Sequence, residues 1–307
     1  MTSYLQTADG EKHAAALSSV VAAVGLTTFK LVVGVSTGSL GILAEAAHSG
    51  LDLLAALMTF FAVRLSSKPA DDQHLYGHGK IENISALFET LLLLITCVWI
   101  IYEAVQRLFF RHVEIEVTFW AFLVMFVSIA VDLTRSRVLY RAARKHNSQA
   151  LEADALHFST DIWSSSVVIL GLIGVKLSAI HPQLGFLRQA DAMAALVVAL
   201  IVIYISLQLG ERAIQALLDA APRDKANAIK QAVERLPGVV DCHHVRLRYA
   251  GPQPFADVHI LVAPEMDFTA VHTLTEDVER TIQTLLPDAD VTVHPEPAPA
   301  TVPSAYS

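Results

Sequence analysis

Two stretches of the chain repeat one short pattern. One reads Glu45-Ala-Ala-His48-Ser-Gly-Leu-Asp52 and the other Ala155-Leu-His157-Phe-Ser-Thr-Asp161. Both contain H-x-x-x-D. On an α-helix, a spacing of four puts the imidazole and the carboxylate on one face, one turn apart. Two such helices side by side can aim two imidazoles and two carboxylates at one point. The donor set His48, Asp52, His157 and Asp161 suits a tetrahedral site for a borderline divalent cation such as zinc. Two carboxylates and one divalent ion sum to zero charge, so the loaded site is neutral. The ligands must shed protons to bind, which couples such a site to pH. The competing interpretation is two unrelated polar pairs joining neighbouring helices, and repetition of the pattern argues against it. Glu45, three residues before His48, reads as a supporting carboxylate.

Two further groups of residues have ligand chemistry. The first is the stretch Asp71-Asp72-Gln-His74-Leu-Tyr-Gly77-His78-Gly79-Lys80. Asp71, His74 and His78 there read equally as a metal site or as a solvated polar loop. Gly79-Lys80 is not a phosphate loop, because G-x-x-x-x-G-K-[ST] is absent and Ile81 follows the lysine. The second group is five of the 13 histidines, His243, His244, His259, His272 and His294, in the last third of the chain. Singly they read as ordinary core or surface residues. With Asp257 and Glu296 they outline a second cluster that spacing alone does not establish.

The elements that hold these residues follow from hydropathy. The 307 residues are 53% hydrophobic and only 17% charged, with a mean hydropathy of +0.47. An ordinary soluble domain carries about 25% charged residues. The excess apolar content lies before Asp219, in six segments near 14–36, 40–64, 84–108, 115–138, 152–177 and 190–212, each long enough to cross a bilayer. The segments carrying the two motifs are the least apolar, because they hold the ionisable groups. Lys12, Arg64, Lys68, Lys80, Arg135, Arg137, Arg141, Arg144, Lys145 and Arg212 would share one side, against Arg107, Arg111, Lys176 and Arg188 on the other. That bias places both termini in the cytoplasm. The expected organisation is an N-terminal cytoplasmic segment at 1–13, a six-helix transmembrane domain at 14–219 and a cytoplasmic domain at 220–296. A disordered Pro- and Ala-rich tail would follow at 297–307. The apolar run has no cleavage-site pattern, so no removed signal peptide is expected.

The cytoplasmic domain reads as α-β-β-α-β, an α+β ferredoxin-like open-faced sandwich. Helix composition spans 224–236. Alternating β-branched residues mark strands at Val239 to Tyr249 and Phe255 to Val262, with Gly251-Pro252 as the turn. An amphipathic helix at Thr269 to Leu286 and a short strand at Ala289 to His294 complete it. Cys97 and Cys242 form no disulfide framework. A net charge of −8 excludes a nucleic-acid partner.

Taken together, these residues make the chain similar to a known family, the bacterial cation diffusion facilitators. The resemblance rests on the paired H-x-x-x-D, on D-D-x-H-x-x-G-H-G-K-x-E at 71–82, on Leu217-Leu-Asp219, on Pro237-Gly-Val239 and on the tail histidines. It covers about residues 12–296. It implies a homodimer in the bacterial inner (cytoplasmic) membrane, in contact with lipid. It implies that divalent metal leaves the cytoplasm in exchange for protons. It implies a transport site at His48, Asp52, His157 and Asp161 and a loop site at Asp71, His74 and His78. It places the metal positions of the tail dimer interface at His243, His259, His272 and His294. The family's usual aspartate near the end is here Glu296. Some relatives carry aspartate where this chain has His48. An interlocking salt bridge near the membrane would join Lys80 and Asp219.

The expected activity is therefore a proton-coupled antiporter for zinc, with cadmium, cobalt and iron(II) able to use the same donors. No resident cofactor and no ATP site are expected. An intramembrane metallohydrolase would need H-E-x-x-H and an open coordination position, and neither is present in the sequence. A metal sensor or assembly protein with the same ligands would differ by showing no flux across sealed vesicles.

Overall fold

The computed structural model describes residues 2–109, 119–180 and 190–299. Arg111 and Arg188 of the orientation argument, and residues 300–307 of the expected disordered tail, lie outside the described residues. Six long helices come first: α1 (Thr2–Thr37), α2 (Leu40–Ser66), α3 (Lys80–Phe109), α4 (Phe119–His146), α5 (Gln149–Ile180) and α6 (Ala190–Leu217). They are followed by α7 (Arg223–Val233), β1 (Asp241–Ala250), β2 (Gln253–Val262), α8 (Phe268–Leu285) and β3 (Asp290–Pro297). The chain forms two compact units, one of Met1–Pro69 and Ile81–Ile214, the other of Ala70–Lys80 and Gln215–Ser307.

In the first unit the usual arrangement of polarity is reversed. Val21, Val35, Leu51, Val98, Trp99 and Phe126 are exposed, whereas Lys12, Glu82, Glu89, Asp132, Arg135 and Asp154 are buried. Charged side chains inside and aliphatic ones outside is the arrangement a bilayer requires. Four described stretches are long and apolar enough to cross a membrane: Ala8–Thr37, Glu45–Ser66, Lys80–Gln106 and Leu196–Leu217. The helices α4 and α5 are equally long, and α4 gathers Asp132, Arg135, Arg137, Arg141, Arg144 and Lys145 from its middle onward.

Small side chains let these helices approach closely. Ala15, Ala16, Val63, Leu139, Ala143, Ala150, Leu151, Ala155 and Phe158 form one core shared by α1, α2, α4 and α5. Ala86, Ala153, Leu209 and Ala213 form a second core, joining α3, α5 and α6. Between α1 and α2 the chain reverses at Gly38, whose φ is +66°, and the Ser39 hydroxyl accepts the Ile42 N–H to cap α2. Two of the basic residues counted toward orientation turn out to be internal. Lys12 is buried against Glu82 at 3.2 Å. Arg135 is buried against Asp132 at 3.3 Å and lies flat on the Phe158 ring, 3.4 Å from its centroid.

In the second unit, β1 pairs antiparallel with β2, and β2 parallel with β3. Both helices cover one face of this sheet. Ile229 and Val233 of α7 and Leu274, Val278 and Ile282 of α8 pack on Cys242, Leu247, Ala256, Val258 and Ile260. The hairpin turns at Gly251-Pro252, with Gly251 at φ +60°. The last strand runs to Pro297, three residues past its expected end at His294. The Ala298 N–H donates to the Val262 carbonyl at 2.8 Å and holds it in place. An edge strand tolerates Pro295 and Pro297, which donate nothing to the ladder.

The loop before α3 belongs to this second unit. Tyr76 meets Phe255 edge-on at 5.3 Å, and the Arg248 guanidinium lies 3.8 Å from the Tyr76 ring centroid. Gly79 lies so close to the β1–β2 turn that a Cβ there would sit 2.0 Å from the Ala250 carbonyl oxygen. Gly79→Ala should therefore lift the 70–80 loop from the turn and leave the helix-backed core intact. An overpacking cost of about 1–3 kcal/mol corresponds to roughly tenfold to hundredfold faster amide exchange at 71–80. Exchange in β2 should be unchanged.

Candidate metal centres and the family they define

The two H-x-x-x-D motifs lie on α2 and α5, which pack against each other. His157 is the hub of the site. Its Nε2 lies 3.3 Å from Asp52 Oδ1 and 3.7 Å from Asp161 Oδ2. The ligand atoms of Asp52, His157 and Asp161 all lie within 4.8 Å of one another. One divalent ion could touch all three. His48 stands slightly apart: its Nε2 is 3.9 Å from Asp52 Oδ1, and its side chain is 43% exposed. The geometry is thus three converged donors, with a fourth one turn along the helix, on the more open side.

Sequence reading missed the group behind this cluster. Glu89 of α3 is fully buried, accepts the Thr59 hydroxyl at 3.1 Å, and places its other oxygen 3.9 Å from His157 Nδ1. That places a carboxylate on each side of the imidazole. A carboxylate facing the rear nitrogen of a histidine fixes the ring and keeps the front nitrogen available to an ion. A lone glutamate in the run Glu89-Thr-Leu-Leu-Leu-Leu94 was the available signal, since intramembrane ionisable residues are functional candidates. Farther along, Ser19 donates to Asp154 at 3.3 Å and accepts from Arg135 at 3.1 Å. Near the start of α2, Lys30 donates to Ser49 at 2.8 Å and to Glu45 at 3.2 Å, so Glu45 is occupied by a cation.

The loop group is also drawn together. Asp71 Oδ1 accepts the backbone N–H of His74 at 2.7 Å and of Gln73 at 3.0 Å, a local turn set by the aspartate itself. The His74 N–H is the main reason that the Asp71 carboxyl is held below the usual carboxylate range. The two imidazoles lie 3.4 Å from its two oxygens, with ring centroids 4.5 Å apart. Asp72 joins no cluster among the described residues. Lys80 Nζ meets Asp219 Oδ1 at 2.8 Å and the Leu217 carbonyl at 3.4 Å. It therefore caps the carboxyl end of α6, where a cation is favoured.

In the tail, strand register aligns the histidines. His243 pairs with His259, and His259 with His294, so the three form a row across β1, β2 and β3. The row lies on the face that α7 and α8 leave open. Glu296 sits in its middle, 2.7 Å from His259 Nδ1, 3.6 Å from His243 Nε2 and 3.7 Å from His294 Nε2. The His259 contact is the main reason that the Glu296 carboxyl is held below its ordinary range. His272 is not part of this row. It lies on α8, nearest Glu276 at 3.6 Å. Asp257 pairs with Arg246 at 3.8 Å.

The profile of the cation efflux transmembrane domain matches residues 16–218. The chain belongs to the cation efflux family. The profile of the cation efflux protein cytoplasmic domain matches residues 221–298. The cation-efflux pump FieF of Yersinia enterocolitica is 34% identical over 287 residues, covering 92% of each chain. FieF of Serratia proteamaculans is 33% identical over 292 residues, again 92% of each. A solved MamM C-terminal domain is 31% identical, covers 25% of this chain and 98% of its own, and has a TM-score of 0.24. This family member is a multi-pass transmembrane transporter with a helix-and-sheet cytoplasmic domain.

If Glu89 orients His157, the charge of its side chain matters more than its volume. Glu89→Gln keeps a hydrogen bond to Thr59 but removes the anion. Zinc affinity, measured by calorimetry on the purified protein, should fall about tenfold to hundredfold. The melting temperature without metal should change little. Unchanged affinity would make Glu89 a packing residue.

Proposed function

We propose that this transporter is a zinc/proton antiporter that exports zinc from the cytoplasm across the bacterial cytoplasmic membrane, with cadmium, cobalt and iron(II) as weaker cargo. The observation that carries the reading is the convergence of Asp52, His157 and Asp161 in the membrane unit, with donor atoms within 4.8 Å. One imidazole and two carboxylates, with His48 as the fourth donor, form a mixed nitrogen and oxygen set that zinc accepts. Manganese and magnesium prefer oxygen in octahedral number.

The mechanism follows from charge. Two carboxylates in a low-dielectric interior need compensation, and either one divalent cation or protons can supply it. Facing the cytoplasm, the deprotonated ligands take up zinc. Facing outward, protons occupy the same atoms and zinc leaves. Thus the inward proton gradient drives metal outward. All six long helices serve as spans, with both termini cytoplasmic. Chains act in pairs, joined near the membrane through the Lys80 and Asp219 region and through the tails. Asp71, His74 and His78 form a cytoplasmic loop site. His243, His259, His294 and Glu296 form a tail site that senses the ion to be exported, and His272 would complete that set across a pair of chains.

Asp161→Ala removes one compensating charge and one ligand. Zinc flux into sealed proteoliposomes should fall to background, while Lys225→Ala on the tail surface transports normally. Near-normal flux with Asp161→Ala would contradict the reading. His48→Asp replaces nitrogen with harder oxygen and should weaken preference for zinc over manganese, cadmium or iron(II), with transport retained. Selectivity ratios that do not change would separate selectivity from these donors.

A further inference from the structure

Successive residues of a β-strand point to opposite faces. On β1, Cys242 is buried in the helix-backed core and His243 lies on the open face. Regular alternation would turn the next side chain, His244, back toward the core. The strand departs from regularity at this point. The β1–β2 register shifts between His243 and Arg246, and His244 adopts a left-handed backbone conformation with φ +47°. A bulge of this kind inserts an extra residue and redirects a side chain. Here it leaves His244 exposed, on the same face as its neighbour.

The result is a cluster of three imidazoles. Ring centroids are 5.0 Å apart for His243 and His244, 5.1 Å for His244 and His259, and 5.6 Å for His243 and His259. One ligand nitrogen from each ring lies within 4.8 Å of the other two. The rings are steeply inclined to one another, at 64°, 87° and 54°. Flat stacking would have pointed to mere ring contact. Inclined rings with converging nitrogens form a tripod instead.

Glu296 then has a different role from the histidines. Its Oε1 is 2.7 Å from His259 Nδ1. A carboxylate only accepts, so Nδ1 donates the hydrogen. In the neutral ring this leaves the lone pair on Nε2, the nitrogen that faces away from Glu296.

We propose that His243, His244 and His259 form a nitrogen-only site for one borderline divalent ion, such as nickel, copper(II) or zinc, with Glu296 as the positioning carboxylate of His259. This assignment rests on reading the tail as a metal-binding domain, and it adds His244 to that reading as a ligand. It also gives the tail two unlike donor sets that share His259. The second is His259, His294 and Glu296, whose ligand atoms also lie within 4.8 Å of one another. Imidazole donors favour later first-row ions, whereas a carboxylate widens the range toward harder ones. The tripod is the higher-affinity set for nickel.

The test uses nickel with the purified full-length protein, and His244→Gly as the main variant. Glycine accepts φ +47° freely, so this substitution removes the ring without disturbing the bulge. His244→Asn, which tolerates the same backbone, is the second variant. X-ray absorption of the protein loaded with one equivalent of nickel counts imidazoles per ion, and calorimetry gives the affinity. Wild type should show three imidazoles. Both variants should show two, with affinity at least tenfold weaker. Glu296→Gln should keep three imidazoles while binding more weakly. Three imidazoles in His244→Gly, or unchanged affinity, would overturn the assignment. A paired His243→Ala, His259→Ala variant identifies the source of any failure. If it binds the first nickel as wild type does, the tail is no metal site and both readings fall. If it loses that nickel while His244→Gly keeps it, only the role of His244 falls.

Discussion

Carboxylates buried among helices that face lipid need a counter-charge. This constraint organises the membrane unit. Asp52, Asp161 and Glu89 surround one imidazole, His157, with the nearest oxygen 3.3 Å away. Isolated anions in such a place would cost several kcal/mol each. The arrangement is stable only when cations or protons accompany it. In the proposed antiport, metal and protons would take turns supplying that compensation.

The rest of the unit serves to hold those groups. Alanines of α1, α4 and α5, packed with Val63 of α2, bring the helices close enough for an α2 aspartate to reach an α5 histidine. Phe158, adjacent to His157, is fixed by the Arg135 guanidinium on its face. Glu82, fully buried, accepts from Lys12 at 3.2 Å and Ser66 at 3.0 Å and is also bonded by Ser148. It thereby ties the ends of α1, α2 and α3 to the start of α5. Each of these contacts turns a desolvated charge into a positional restraint.

Much of this was legible in the sequence for a geometric reason. A four-residue spacing survives translation into a helix, so His157 and Asp161 were bound to share a face. Strand alternation from Phe255 to Val262 likewise fixed which residues of β2 face the helices. What stayed hidden depended on partners far along the chain. Glu89 and His157 are 68 positions apart, and nothing local to either reveals their meeting. Arg135 looked like a cytoplasmic anchor because its neighbours Arg137 and Arg141 are basic; only packing shows that it points inward to Asp132 and Ser19. His48 and His157 occupy equivalent places in the motif, yet one is half-exposed and the other buried. The bulge at His244 was equally invisible, since His-His in a strand predicts opposite faces.

The central claim is that metal and protons compensate the same buried carboxylates and therefore move in opposite directions. Proteoliposomes with a trapped pH-sensitive dye, given a zinc gradient and no initial pH difference, test it most directly. The account predicts that inward zinc movement is matched by proton exit, so that the interior becomes alkaline, and that both signals vanish together in Asp52→Ala. Zinc entry at the wild-type rate with a silent dye, in vesicles shown to be tight to protons, would contradict it.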